Sequence, residues 1–391
     1  MTSSRSIDLA GHPWFEPWRD PQSAVTSYVL TERVAPMQRA MYHTVRSTSG
    51  DGRWLWFTAI FPPSKHFCLA AACLDPRDLS IRYFPHCPIT PLGGNPLVFP
   101  EGDRAYVVVE DAVYLQPVDG RPQIVVRPEL PARGHLFRLC THLSLSCDGR
   151  QFVFDSHIGN AFYLTLIDRG GGHTRLLKRF FHNHHHALFS PVDPDLILVG
   201  QGPWTDPITG QRGDEDLRAW IMSTDGARYE AIMPDIYSRG PRAALHEFWT
   251  PDGMVGWCSR RDGVFETDVH LPPSERRRVR VWGRGMTHAH CNGDRTLYCG
   301  DTNPYEWSPD VPCGVWFFNR TTGAEVAIAT GLPYPESIPF REKRAYHFDP
   351  HPSFTADGRH VVYTTTVFGR LDVAMTPVEH LLEITGTVSP R

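Results

Sequence analysis

The sequence predicts an all-β chain folded as one seven-bladed β-propeller, and three observations predict it. A short phrase, a polar turn built on Asp-Gly or a near relative followed by an apolar alternating run, occurs seven times. Its aspartates stand at 51, 103, 148, 193, 252, 294 and 357, six gaps over 306 residues that average 51. Helical periodicity is almost absent: Pro377–Ile384 alone reads as a helical turn. Asp-Gly between alternating apolar runs is a strong hairpin signal. A repeat of about 40 to 50 residues made of hairpins has the size of one four-stranded propeller blade.

Taken in chain order, the seven copies are GDGRWLWFTA at Gly50, EGDRAYVVVE at Glu101, CDGRQFVFDS at Cys147, VDPDLILVGQ at Val192, PDGMVGWCSR at Pro251, GDRTLYCGDT at Gly293 and ADGRHVVYTT at Ala356. Each supplies the turn and second strand of one blade. The expected organisation is a single domain over residues 1–391, with blade repeats over about 41–370 and the termini closing the ring.

Composition narrows the function. With 41% hydrophobic, 12% aromatic and 21% charged residues, the chain is neither disordered nor collagen-like, and no window reaches the ~18 apolar residues of a membrane-spanning helix. Net charge is −4 and the sharpest basic run, Glu275-Arg276-Arg277-Arg278, is isolated, so nucleic acid is not an expected partner. The opening MTSSRSIDLAGHPWFEPWRD lacks the apolar core of a secretory signal. Nine cysteines without any C-x-x-C read as reduced thiols of a cytoplasmic protein.

Histidine carries the chemistry. Aligned on the turn aspartate, blade three reads His142-Leu-Ser-Leu-Ser-Cys-Asp148 and blade five His246-Glu-Phe-Trp-Thr-Pro-Asp252. Blade six reads His288-Ala-His-Cys-Asn-Gly-Asp294 and blade seven His351-Pro-Ser-Phe-Thr-Ala-Asp357. Blade four has His186 with one extra turn residue, blade one has His43 eight before Asp51, and blade two has none. The segment before the turn is the innermost strand, which lines the central channel. Equivalent positions at its start therefore converge on one mouth. A blade histidine can also serve structurally within its own blade. Five at one rim position, with neighbours in Asn183-His184-His185-His186, His288-Ala-His290 and His347-Phe-Asp349-Pro-His351, favour a metal or acid–base site.

His347, Asp349 and His351 at i, i+2, i+4 share one face of an extended strand. Two imidazoles and a carboxylate suit a borderline divalent ion such as manganese, iron or zinc, with His288 closing the set. A local hydrogen-bonded rim is the equal alternative. Arg218, after the polar loop Thr205–Asp216, offers a fork for a carboxylate. Trp204 and Trp249 could stack on a sugar ring or sit in the core.

The phrases His186-Ala-Leu-Phe-Ser-Pro-Val-Asp-Pro-Asp, Gly200-Gln-Gly-Pro-Trp, Arg218-Ala-Trp, His246-Glu-Phe-Trp and His351-Pro-Ser-Phe-Thr-Ala-Asp-Gly, in order between about Met41 and Thr366, resemble the oligogalacturonate lyase family. That resemblance implies a cytoplasmic seven-bladed propeller cleaving short pectin fragments by β-elimination with a manganese ion. By motif it implies His246 as catalytic base, Arg218 as catalytic arginine, and His288 and His351 as metal ligands. Where the family pattern has a second histidine and a glutamine, this chain has Asp349 and Tyr346, so Asp349 and His347 are the expected substitutes in the ligand set. Manganese is the expected ion, with calcium or another divalent ion as alternatives.

The expected partner is a short acidic oligosaccharide, contacted by His186, His142, Trp204, Tyr346 and His290, with His186, His142 or water protonating the leaving oxygen. Two other readings compete. One is a lyase for a different uronic-acid-containing glycan at the same site; the other is a non-catalytic binding propeller. Hydrolysis is weaker, because it wants a pair of carboxylic acids across the sugar.

Overall fold

The computed structural model describes residues 7–89, 94–99, 102–202, 209–211, 217–238, 243–335, 338–339 and 342–386. Seven antiparallel sheets form the blades of a propeller. Blade four shows the pattern: His184–Phe189, Leu196–Gln201, Ala219–Ser223 and Tyr229–Ala231 follow one another outward from the channel. Blades five (Leu245–Trp249 to Val279–Trp282) and six (Ala289–Cys291 to Ala324–Leu332) repeat it.

The strand Leu196–Gln201 shows why such a chain builds a ring. Ile197 and Val199 pack toward Val153, Leu164 and Leu166 of blade three. Leu196 and Leu198 pack toward Val255 and Trp257 of blade five. Alternate side chains thus serve the two neighbouring blades, and both faces of a middle strand are apolar. The same holds for Trp54–Phe61 and His66–Cys73, buried almost throughout, whereas the outer Ser80–Pro88 is largely exposed. Each fully buried Leu, Ile or Val contributes about 1.5–3 kcal/mol.

The Asp-Gly turns are stapled by a hydroxyl two residues before the aspartate. Ser49, Ser146, Thr250 and Thr355 each donate to Oδ1 of Asp51, Asp148, Asp252 and Asp357 at 2.6 Å. The following glycines 52, 149, 253 and 358 have φ of 70° to 87°, the left-handed conformation that glycine adopts without a Cβ clash.

Blade seven is completed from the other end of the chain. Ser353–Phe354, His360–Thr365 and Asp372–Pro377 are joined by Thr26–Leu30, in register Tyr28↔Met375 and Val29↔Ala374, and then by Phe15–Arg19. Ser27 Oγ lies 2.7 Å from Thr376 Oγ1 across that seam. A helix, Val378–Thr385, follows, close to the helical turn read in the sequence; a four-residue helix at Lys343–Tyr346 was not foreseen. No helix among the described residues is long and apolar enough to cross a membrane. All nine cysteines are free, and eight are buried.

Candidate active site

The channel mouth is built from the starts of the inner strands, and backbone irregularity aims the side chains. In blades four and five the pairing of the inner strand shifts register between His185 and Leu188 and between Leu245 and Phe248. The residues inside these bulges, His186 and His246, have φ of 55° and 49°, and their counterpart His351 has 47°. A left-handed, non-glycine residue is disfavoured by its Cβ, and its recurrence at one rim position marks a site where local strain is tolerated for placement. The outcome is a cage. His43, His142, His186, His246, His288 and His351 surround the ring of Tyr42, with centroid separations of 4.4 to 6.1 Å.

One side of the cage has the donor set of a metal centre. His288, Asp349 and His351 each present a ligand atom, all within 4.8 Å of one another. Nε2 of His288 and Nε2 of His351 are buried with no hydrogen-bond partner, a costly state unless something accepts those lone pairs. The orientation of His288 is fixed from behind: Asp301 takes its Nδ1–H at 2.9 Å and the backbone N–H groups of His288 and His351 at 3.0 and 3.1 Å. A carboxylate behind a ligating imidazole is the usual second partner at a metal site. Two imidazoles and a carboxylate therefore fit a borderline divalent ion.

His347 and Asp349 do not reach this cluster as alternate residues of a strand. No strand covers 347–352, and His347 has a φ of 42°, so irregular backbone places them instead. His347 Nε2 lies 3.7 Å from Asp349 Oδ2. The buried guanidinium of Arg39 donates to the His347 carbonyl and lies close enough to Asp349 to feel its charge. Burial, and then the charge of Arg39, depress His347 to about 3.

Next to this cluster, from the neighbouring blade, stands His246, its ring centroid 4.0 Å from that of His288. Its Nδ1 is 2.7 Å from the Tyr42 hydroxyl and its Nε2 is 2.7 Å from the Tyr305 hydroxyl. Burial, then the neighbouring His288, His43 and His186 and the Arg218 charge, push it well below the usual imidazole range. Beside it, Arg218 is engaged within the protein, contrary to the expectation of a fork open to ligand. Its Nε and Nη2 donate to both oxygens of Glu247 at 2.8 and 3.1 Å, and Nη1 donates to the Gln201 carbonyl and to His185 Nε2. Burial alone would raise the Glu247 carboxyl, but Arg218 and the His186 contact hold it at about 2. His185, His186 and Glu247 form a second group of ligating atoms within 4.8 Å, with Arg218 supplying its positive charge.

The remaining sequence-predicted residues separate. His142 is buried edge-on to His186, with ring centroids at 4.7 Å. His290 faces blade seven, where its Nδ1 accepts from Phe354 N, and burial lowers it to about 4. Tyr346 packs in the hydrophobic core against Phe67 instead of lining the mouth. Trp249 is also core, donating to the Leu188 carbonyl between blades four and five. Trp204 lies outside the described residues, as does most of the loop 205–216. The sequence reading passed over Tyr42, Tyr305, Glu247, Asp301 and Arg39. Tyr42 and Glu247 sit next to His43 and His246, the adjacency that could have flagged them; Tyr305 has no repeat position to mark it.

Fold and site together define a seven-bladed β-propeller with an imidazole-lined mouth and a three-residue set suited to a divalent ion. No protein-family model matches the chain. The chain is 28% identical over 198 residues to the oligogalacturonide lyase of Pectobacterium atrosepticum and 27% identical over 199 residues to the oligogalacturonate lyase of Dickeya dadantii. Each match covers 47% of this chain and 47% of the relative, so the chain spans about half the length of the curated relatives it matches. Among solved structures it resembles an oligogalacturonate lyase in complex with manganese (TM-score 0.70, 17% identity, 93% of this chain and 96% of that one). The oligogalacturonate lyase of Vibrio parahaemolyticus is equally similar (TM-score 0.70, 16% identity, the same coverage). The resemblance read from the sequence motifs thus recurs in sequence and in fold.

Proposed function

We propose that this chain is a metal-dependent oligouronide lyase that cleaves short oligogalacturonides by β-elimination. The observation that carries the reading is the His246 imidazole standing 4.0 Å from His288, itself one of three residues with ligand atoms within 4.8 Å. The names of the similar proteins and the manganese complex of one of them support it. Manganese suits two imidazoles and a carboxylate better than calcium, which prefers six or more oxygens. We place the activity in the cytoplasm, with short acidic oligosaccharides as partners.

The proton at C5 of a uronate is weakly acidic, because its removal leaves a dianion at C5 and the carboxylate. His288, Asp349 and His351 would hold a divalent ion, which when bound would supply Lewis-acid neutralisation of that charge. His246 is the general base. Kept neutral by burial, it holds its Nδ1–H toward Tyr42 and its Nε2 lone pair toward the open side of the mouth. There the Tyr305 hydroxyl occupies the place of the proton donor, and Tyr305, 45% exposed, stands on the side from which substrate would arrive. The C5–H electrons form the C4–C5 double bond, and the C4–O bond breaks toward the leaving sugar, whose oxygen takes a proton from water at the mouth. Arg218 acts as a positioning residue, locking Glu247 against His186 Nδ1 at 3.4 Å. His186 is partly exposed beside the base and His142 is buried behind it.

A lyase for a different uronide is the second reading. It is favoured by Asp349, which adds a negative charge to the ligand set, and by Tyr346, which is withdrawn into the core.

Two substitutions test the assignment. His246→Ala should lower turnover of digalacturonate by about 10²-fold or more with bound manganese unchanged. His351→Ala should lose manganese and turnover together. Turnover retained in His246→Ala would remove the base from the mechanism.

A further inference from the structure

Arg39 is a buried cation with no counter-ion of its own. It ends the innermost strand of blade one, Met37–Arg39, and is 5% exposed. Its Nη1 donates to the carbonyls of His347 and Tyr346, and its guanidinium carbon lies 5.4 Å from the centre of the Phe67 ring. Its Nε is buried with no hydrogen-bond partner, and among the described residues it forms no ion pair. Burial pulls Arg39 down to about 10, against the opposing charge of Asp349, so it stays charged at neutral pH. A charge taken out of water without a partner is expensive, and this one calls for negative charge close by.

Its field falls on the candidate metal cluster. Asp349 interacts with the guanidinium, and Arg39 adds to the burial that lowers His347 and His351. Asp349 and His351 are two of the three residues whose ligand atoms converge. A cation in that place repels a metal ion, so it serves a metal centre only where the centre also takes an anion. Counting the ion's own charge shows the effect. Two neutral imidazoles leave a divalent ion its two positive charges, Asp349 reduces that total to one, and Arg39 brings it back to two.

We propose that Arg39 is the electrostatic counterpart of Asp349: it returns to the cluster the positive charge that the Asp349 carboxylate removes, and so strengthens the hold on a uronate carboxylate and on the charge that develops there, while weakening the hold on the metal. Arg39 acts through the cluster and is a positioning residue. The proposal rests on the lyase reading above in one respect, that the anion is a uronate.

The test titrates apo-protein with manganese, and manganese-saturated protein with galacturonate, a single unit that offers no bond between sugars to cleave. Arg39→Met should weaken galacturonate binding by about tenfold while manganese affinity holds or rises. A merely structural prop for the chain at 346–347 would lose both together. Arg39→Lys, which keeps the charge, should stay within about threefold of the native protein in both titrations. At saturating manganese, Asp349→Asn should bind galacturonate about three- to tenfold more tightly than the native protein, and adding Asp349→Asn to Arg39→Met should restore the lost affinity. Manganese affinity that falls in Arg39→Met, with no restoration in the double variant, would overturn the proposal. Should Arg39→Met fail to fold, Asp349→Asn decides alone, and galacturonate bound no more tightly than by the native protein would overturn it. Galacturonate bound by the native protein but indifferent to both substitutions would overturn the proposal and leave the lyase reading standing. No galacturonate binding to the manganese-saturated native protein would overturn the lyase reading and the proposal with it.

Discussion

Asp301 is fully buried and bonds only within the protein, yet it governs the geometry of the candidate metal centre. One carboxylate receives the imidazole Nδ1–H of His288 and the backbone N–H groups of His288 and His351, so it sets both the tautomer of one ligand and the path of the chain into another. Asp301→Asn keeps the shape but turns one acceptor into a donor. It should weaken manganese binding by about 10- to 100-fold, read by titration of the metal into the apo-protein; unchanged affinity would mean the ligands are held by other groups. Asp301 was not legible in the sequence, because its role comes from contact across 50 residues with His351 and carries no repeat position. His246, His288 and His351 were legible because each stands six residues before a turn aspartate. Arg218 was legible as a residue worth noticing and misread in its contacts: its partner Glu247 is one residue beyond His246, buried by the same bulge that turns His246 outward.

At the scale of elements, turns and bulges divide the work. The turns fix the blades. Thr355 donates to Asp357 Oδ1 and accepts from His360 N, closing the hairpin of blade seven. Thr355→Ala should therefore destabilise the protein by about 1 kcal/mol in denaturant unfolding, with manganese affinity unchanged, because the hairpin's far end carries the cost. A fall in metal affinity instead would show that turn and site are mechanically coupled. The bulges fix the chemistry, and here the sequence was silent. Hairpin turns announce themselves through Asp and Gly, whose conformational preferences are local. A left-handed histidine has no such preference, and His186, His246 and His351 adopt it only because packing on both sides imposes it. The same limit explains His347–Asp349–His351: alternation suggested a strand, whereas the chain there is irregular and held by Arg39 at the His347 carbonyl.

For the whole molecule, the repeat was enough to give the seven blades, and pairing of Thr26–Leu30 with Asp372–Pro377 closes the ring through residues that lie outside the repeat. Holding many imidazoles neutral in that ring has a consequence for pH. Burial lowers His184 to about 4 from the ordinary 6.5, and pushes His142 down by burial and the adjacent His186. Below about pH 6.5 the unfolded chain takes up protons that the folded chain refuses, so stability is fully present above that pH and falls as pH drops toward the folded values. Each such histidine costs up to about 1.4 kcal/mol per pH unit. Urea midpoints should fall between about pH 7 and about pH 5; a flat profile would mean that the cage protonates without opening. The central claim, that this mouth eliminates and does not hydrolyse, is tested most directly by the masses of the products formed from digalacturonate and trigalacturonate, with manganese and with chelator. Elimination gives fragments whose masses sum to that of the substrate, and none when chelator is present. Fragments carrying one added water, or no cleavage of any galacturonide with manganese present, would contradict it.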